Sequence, residues 1–373
     1  MARQLAASAS SGAVLVDARL REGRAILAAP GNQSAARPII LDNAEQSDAA
    51  SLLSWVSTVD GLDSRNGSNL RLPRFVLVGG PFGMPEPPGD RSDGRIARIQ
   101  MGPLSLFEAG RASMRRLWLR GGYPEAFGAA SDEAAFAWLE TYMADLSHGT
   151  LAAWGLPREP ALIASLLEAV AGQNGRPFNE NAAARALGVS RPTISRYLGL
   201  LEKAEILFRI PALSPGAVPV GSVPGSKLPG ANRAIKSPVL YIRDSGLLHA
   251  ILGVRSADEL ALKPQMAAAS WTGFVAAQLR EALPPGASLY RYASADGAVL
   301  ELVLVRDGTP FITAAARRLR PASVERSVSY AAKTASGADA SRYIIVPDGG
   351  ERCLPAGFIV LGLGSFLERL TGA

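Results

Sequence analysis

The stretch Ile39-Ile-Leu-Asp42-Asn43 has the form of a Walker B strand, an apolar run whose terminal Asp orders Mg²⁺. In an active site of that type the next residue is a carboxylate that polarises the attacking water, and here it is Asn43. An amide is no general base, so the hydrolytic step is expected to be impaired even with nucleotide bound. The competing reading of the same residues is a buried strand that ends in Asp. A Gly-x-x-x-x-Gly-Lys-Ser/Thr loop, which would supply amides, lysine and hydroxyl to phosphate and Mg²⁺, occurs nowhere in the chain. Gly79-Gly80 and Gly121-Gly122 lack the Gly-Lys-Ser/Thr that would have to follow, and read as turns.

A second group suits a groove rather than a reaction. Ala183-Ala184-x-Ala186-Leu187-Gly188-Val189-Ser190 places small and apolar residues on a first helix, Gly at the turn and Ser at the cap of a second. Pro192 stands just inside that cap, where its missing N–H costs nothing. Ile194, Tyr197, Leu198 and Leu201 then form an inward stripe at helical spacing. Arg191, Thr193 and Arg196 are left outward, suited to base edges or phosphates in a major groove. The alternative is a helix-turn-helix that serves only as a packing module. Near the C-terminus, Glu301 lies on an expected strand, but a metal-dependent nuclease needs a Glu-x-Lys on the following strand, and Phe311-Ile-Thr-Ala-Ala-Ala-Arg317 offers none. Glu301 therefore reads as an outward-facing strand residue, and Arg317-Arg318-Leu-Arg320 as a solvated basic face.

The elements that would position these residues follow from periodicity. Short apolar runs at 13–17, 38–42 and 75–79, with a helical pattern at 49–59 between the last two, predict strands of a parallel sheet covered on both faces. Residues 80–93, rich in Pro and Gly, predict a loop or lid, and 104–119 a helix. Helical spacing over 131–170 predicts a connector, 179–210 the helix-turn-helix and a strand, and 212–231 a long wing or loop. A strand over 237–242, a short helix over 246–252 and an amphipathic helix over 267–283 lead into a final α/β unit. Its strands are predicted at 288–292, 299–305, 310–315, 343–346 and 357–361.

Composition narrows the classes. With 48% hydrophobic and 19% charged residues over 373 positions, the chain can bury a substantial core and is a folded multidomain protein. A single cysteine, Cys353, excludes an internal disulfide framework and a cysteine-based zinc site, and two histidines are too few for most zinc sites. Carboxylates with Mg²⁺ stay open, and no residue is singled out as a metal ligand. No apolar run approaches the roughly 20 residues of a membrane span and the N-terminus lacks a secretory apolar core, so a cytoplasmic protein with no membrane partner is expected. A net charge of +6 allows a polyanionic partner without requiring one.

Taken in order, these features resemble a prokaryotic family of AAA-type P-loop ATPases whose C-terminal half carries a winged helix and a restriction-endonuclease-like domain, long catalogued as a domain of unknown function. The markers are Ile39 to Gln46, Gly79-Gly80, Gly94-Arg95, Pro103 to Glu108, Gly121-Gly-Tyr-Pro-Glu125, Leu187 to Ser190 with Arg196-Tyr-Leu198, Ser237 to Tyr241 with Asp244-Ser-Gly-Leu-Leu248, Trp271 to Leu279, and Gly297 to Leu304. The resemblance implies an α/β multidomain chain: a truncated P-loop-type parallel sheet over 1–112, a helical lid over 113–172, a winged helix-turn-helix over 173–260 and an endonuclease-like mixed α/β domain over 261–373. It also implies nucleotide chemistry that these residues do not support. The phosphate loop is missing, the second Walker B carboxylate is Asn43, and the polar sensor position is Gly80. Of the nuclease residues, the helix acid falls on Thr272, the strand Asp on Glu301 and the Glu-x-Lys pair on Ala314 and Ala316, so that Glu301 alone remains a carboxylate. The expectation is a degenerate member, or a fragment whose upstream residues are absent, acting as a scaffold or regulator without a cofactor. Its expected partners are DNA, through Arg191, Thr193 and Arg196, a protein, or a second copy of the chain. The alternative is an ATPase whose phosphate loop lies upstream or comes from a partner, with Asp42 holding Mg²⁺ of bound ATP and Arg95 contacting the γ-phosphate.

Overall fold

The computed structural model describes residues 14–20, 39–44, 75–80, 99–213, 235, 237–293, 299–306, 309–315, 342–354 and 358–372. The chain is mixed α/β and divides into two compact units, Met1–Gln100 and Met101–Ala373.

In the first unit, β1 (Val14–Asp17), β2 (Ile39–Asp42) and β3 (Phe75–Leu77) pair in parallel in that order. Val14 stands opposite Ile39, Asp17 opposite Asp42, and Ile39 opposite Phe75. The three expected strands form, and Ile39, Ile40 and Leu41 are all buried, as a run with no polar alternation requires. The helical pattern at 49–59, the loop at 81–93 and Arg95 lie outside the described residues.

The second unit opens with helices. Ser105 caps α1 (Leu106–Ala109) through a capping box with Glu108, and after a 3₁₀ turn the chain enters α2 (Met114–Arg120). The helix expected over 104–119 is thus interrupted, because Gly110 takes φ +78°, a left-handed value that ends one helix before the next begins. α3 (Pro124–Phe127) and α4 (Asp132–Asp145) follow; α4 runs on through a π-helical turn at Leu146–Thr150, and α5 spans Pro160–Gly172. Next come α6 (Glu180–Leu187) and α7 (Arg191–Lys203), then β4 (Leu207–Ile210) and β5 (Val239–Ile242), paired antiparallel with Leu207 opposite Ile242. The long wing expected from 212 lies, from residue 214 to 231, outside the described residues. α8 (Ser245–Ile251), α9 (Ala257–Leu262) and α10 (Pro264–Ala282) lead to a six-stranded sheet.

That sheet holds β6 (Ala287–Ala293), β7 (Val299–Arg306), β8 (Thr309–Ala315), β9 (Arg342–Val346), β10 (Arg352–Leu354) and β11 (Phe358–Gly362) in the order β10-β11-β9-β8-β7-β6, followed by α11 (Leu363–Thr371). β8, β9 and β11 are mutually parallel neighbours and the remaining pairs antiparallel. All five strands expected here are present, and the three-residue β10 was not anticipated. The largest core draws Leu106 from the end of the stretch assigned to the nucleotide-binding core, Met114 and Leu117 from the expected lid, Phe208 and Tyr241 from the helix-turn-helix region, and Trp271, Leu302 and Ile345 from the C-terminal part.

Three polar joints tie these helices and their connecting turns together. Asp244, 3% exposed, caps α8 by accepting the Leu247 N–H at 2.8 Å and also accepts the Gly122 N–H at 2.6 Å, across the chain. A Cβ on Gly246 would stand 2.1 Å from the Arg120 carbonyl oxygen, so α2 and α8 approach at a distance only glycine permits. The Gly121-Gly122 turn and the Asp244-Ser-Gly246 stretch are therefore two halves of one contact. Nearby, Arg243 is paired with Glu205 and Glu281, and Arg280 with Glu205, linking the turn after α7 to α10. His249 is fully buried, with Nδ1 2.9 Å from the Leu119 carbonyl and Nε2 2.7 Å from Ser270 Oγ, which also accepts the Trp118 indole N–H at 3.0 Å. Burial pushes that imidazole down to about 4, which keeps it neutral and structural.

Candidate functional site

The face presented by α7 is the most completely built of the expected sites. Asn179 caps α6 by accepting the Ala182 N–H at 3.0 Å, and Gly188, at φ +65°, turns the chain so that the Val189 N–H closes on the Ala184 carbonyl at 3.0 Å. Ser190 Oγ then accepts the Thr193 N–H at 3.2 Å and starts α7. Ala183 and Ala184 on α6, and Ile194, Tyr197, Leu198 and Leu201 on α7, are buried as expected, packed with Ile163, Leu166 and Val170 of α5.

Arg191 and Arg196 are exposed and Thr193 half-buried on the outer side of α7. Each is held by a local contact. Arg191 Nε lies 3.2 Å from Glu180 Oε2, Arg196 Nη1 donates to the Gly155 carbonyl at 2.9 Å with its guanidinium 4.8 Å from the Tyr197 ring centre, and the Thr193 hydroxyl lies 2.8 Å from Ser190 Oγ. The two arginines are thereby oriented without being neutralised, since an exposed ion pair such as Arg191–Glu180 contributes about 0–1 kcal/mol and yields readily to a phosphate. Ser195, exposed between them, belongs to the same face and carried no signal in the sequence beyond its helical position.

At the carboxyl edge of the parallel sheet, β1 and β2 bring Asp17 and Asp42 side by side. Arg19 donates to Asp17 from its guanidinium at 2.8 Å and its backbone N–H at 2.9 Å, and these bonds hold the Asp17 carboxyl down at about 2. Asn43 sits at φ +55°, its backbone N–H 3.1 Å from Asp42 Oδ1 and its side-chain amide donating to Asp17 Oδ1 at 3.1 Å. The residue that fails as a base thus works as a donor that ties two acidic strand ends. Asp17 was legible only as a second strand ending in Asp. Asp17 is engaged by Arg19 and Asn43, whereas Asp42 accepts the Asn43 N–H on one oxygen; among the described residues no group of three potential metal ligands occurs.

In the C-terminal part, Thr272 on α10 and Glu301 on β7, the positions assigned to two nuclease acids, do come together, with Thr272 Oγ1 3.5 Å from Glu301 Oε2. Thr272 is buried and its hydroxyl donates to the Ala268 carbonyl at 3.0 Å. Glu301 is exposed as a residue but turns its carboxylate toward Thr272 rather than straight out to solvent, and burial pushes that carboxyl above the ordinary carboxylate range. Ala314 lies on β8, and Ala316 outside the described residues. One carboxylate beside a committed hydroxyl is too little to hold a divalent cation.

The helix-turn-helix lies within the part of the chain that matches one family model. Residues 111–258 match the model of a domain of unknown function, DUF8612. Two mycobacterial proteins are similar, the uncharacterized protein Rv2008c of Mycobacterium tuberculosis and the uncharacterized protein Mb2031c of Mycobacterium bovis. Each is 32% identical over 258 residues, covering 68% of this chain and 54% of the relative. The chain therefore spans about half the length of the curated relatives it matches. No solved structure gives a significant match. Among the described residues no helix is long and apolar enough to cross a membrane.

Proposed function

We propose that this chain is a catalytically degenerate relative of the AAA-type P-loop ATPases, acting as a scaffold or regulator that binds duplex DNA through a winged helix. The observation that carries the reading is the outer face of α7, where Arg191, Thr193 and Arg196 stand exposed or half-exposed on a helix whose inner face is fully packed and whose start is capped. The antiparallel β4–β5 pair that follows α7 is where a winged helix places its hairpin, and the net charge of +6 favours a polyanion. Asn43 in place of a carboxylate, and Thr272 beside a lone Glu301, support the loss of both catalytic activities of the family.

The test is fluorescence anisotropy of the full chain with a labelled random duplex across a salt series. Binding at low salt is expected, and Arg191→Glu with Arg196→Glu should abolish it while leaving the circular dichroism spectrum unchanged. For wild type, each phosphate contact contributes roughly −0.9 to the slope of log K against log salt, so two arginines account for about −1.8 of it. No wild-type affinity at 50 mM salt, or affinity indifferent to the double variant, refutes the DNA reading. The alternative, an ATPase whose phosphate loop comes from outside this chain, makes a separate prediction: micromolar binding of ATP with Mg²⁺ in calorimetry, lost in Asp42→Ala.

A further inference from the structure

A cleft of about 940 Å³ opens in the second unit between α2 and α9 on one side and the end of β9, its following loop and β10 on the other. Its floor is apolar: Leu119, Leu260, Val346 and Val360 are buried there, and Trp118 is half-buried. Its rim is charged, with Arg115, Arg116, Arg120 and Arg352 set against Asp132 and Asp348. Two arginines are matched, Arg120 Nε lying 2.6 Å from Asp132 Oδ1 and Arg115 Nη2 2.6 Å from Asp348 Oδ2. Among the described residues, four cations against two anions leave Arg116 and Arg352 as the surplus, and both are exposed. Arg116 is steadied by Ser113 Oγ at 3.2 Å and by the Phe127 ring, whose centre is 4.5 Å from its guanidinium carbon.

The position strengthens the case. The cleft sits at the carboxyl end of β9, which pairs in parallel with both β8 and β11, and the carboxyl end of parallel strands is where α/β sheets hold ligands. Its size falls within the roughly 300 to 1,000 Å³ of small-molecule pockets, and an apolar floor with a few convergent charges is their usual lining. The Arg115–Asp348 pair joins the two walls, and with side chains 82% and 57% exposed it opposes opening only weakly.

We propose that this cleft binds a small amphipathic organic anion, its apolar or aromatic body against Trp118, Leu260 and Val360 and its anionic group taken by Arg116 and Arg352. Two surplus cations suit one anionic head group and are too few to track a polymer, so the site is independent of the DNA reading. The test uses the full chain and 8-anilinonaphthalene-1-sulfonate, a sulfonate on an aromatic body, followed by calorimetry and by energy transfer from tryptophan. One-to-one micromolar binding is expected. The double variant Arg116→Glu, Arg352→Glu should weaken it at least tenfold, and Ala257→Trp, which fills the cleft from an exposed position and keeps every charge, should do the same. Circular dichroism and the thermal midpoint of each variant confirm folding. Displacement by laurate identifies an acyl anion and displacement by adenosine monophosphate a nucleotide. Displacement by neither, or affinity unchanged in either folded variant, overturns the proposal.

Discussion

Asp244 allows a prediction whose sign is opposite to that of most protein carboxylates. It accepts N–H groups from Gly122 and Leu247 and stands next to Arg243, all of which favour the ionised form, yet burial outweighs them and pushes its carboxyl up from the usual 3.8 to about 6. A raised carboxylate holds its proton more tightly folded than unfolded. Between pH 3.8 and about 6 the native state therefore binds more protons, and stability contributed through this group falls as pH rises. At about 1.4 kcal/mol for each pH unit, the full penalty is roughly 3 kcal/mol, absent below pH 3.8 and complete above about pH 6. Asp244→Asn removes the titration. It also sets an amide donor against one of the two N–H groups, at a cost of about 1–3 kcal/mol that does not vary with pH. Urea unfolding of wild type and variant from pH 4 to 8, read by tryptophan fluorescence, isolates the titrating part as the change in their difference. Wild type should lose roughly 3 kcal/mol relative to the variant over that range, most of it below pH 6. A difference that stays flat, or that moves in favour of wild type as pH rises, refutes the reasoning, because the backbone donors would then match or exceed the cost of burial.

Four further outcomes rest on geometry. Gly246→Ala sets a Cβ 2.1 Å from the Arg120 carbonyl oxygen and 2.6 Å from the Gly121 nitrogen, backbone atoms that cannot swing aside, so thermal or urea unfolding should show a loss of about 2–3 kcal/mol or more. Gly188→Ala meets nothing within 4 Å and should cost only the roughly 1–2 kcal/mol of its left-handed φ, which separates crowding from strain. Ser190→Ala removes the cap of α7 and should cost about 1 kcal/mol in the same assay, with DNA affinity falling at temperatures where the helix start frays. Asn43→Asp, which restores a carboxylate, should produce no phosphate release from ATP and should lower the thermal midpoint, since it removes the donor to Asp17 and places a third acid at the strand ends.

What could be read in the sequence was whatever depends on neighbours along the chain. The strands at 14–17 and 39–42 were legible as short apolar runs, although only the second is buried throughout its apolar part and Leu15 of the first is exposed; the helix-turn-helix was legible because its caps, its glycine and its inward stripe all fall within two dozen residues. Local signals failed where tertiary context decided. A helical pattern ran straight through Gly110, whose left-handed φ splits it, and β10 is three residues of Arg-Cys-Leu that become a strand only by pairing with β11. Gly121-Gly122 and Asp244 were visible as marked residues, but the contact that explains both joins positions 122 residues apart, so each was read alone, as a turn and as part of a motif. The cleft is the extreme case: its lining comes from residues 115–132, from 257 and 260, and from 346–352 with Val360, segments more than 80 residues apart that no local pattern joins. The contrast extends to Asn43. Its type told at once what it cannot do as a base, whereas what it does, bridging Asp17 across 26 residues, required the register of β1 against β2. A residue that departs from a catalytic pattern is thus informative twice, first for the chemistry it excludes and then, once the fold is known, for the contact that replaced it.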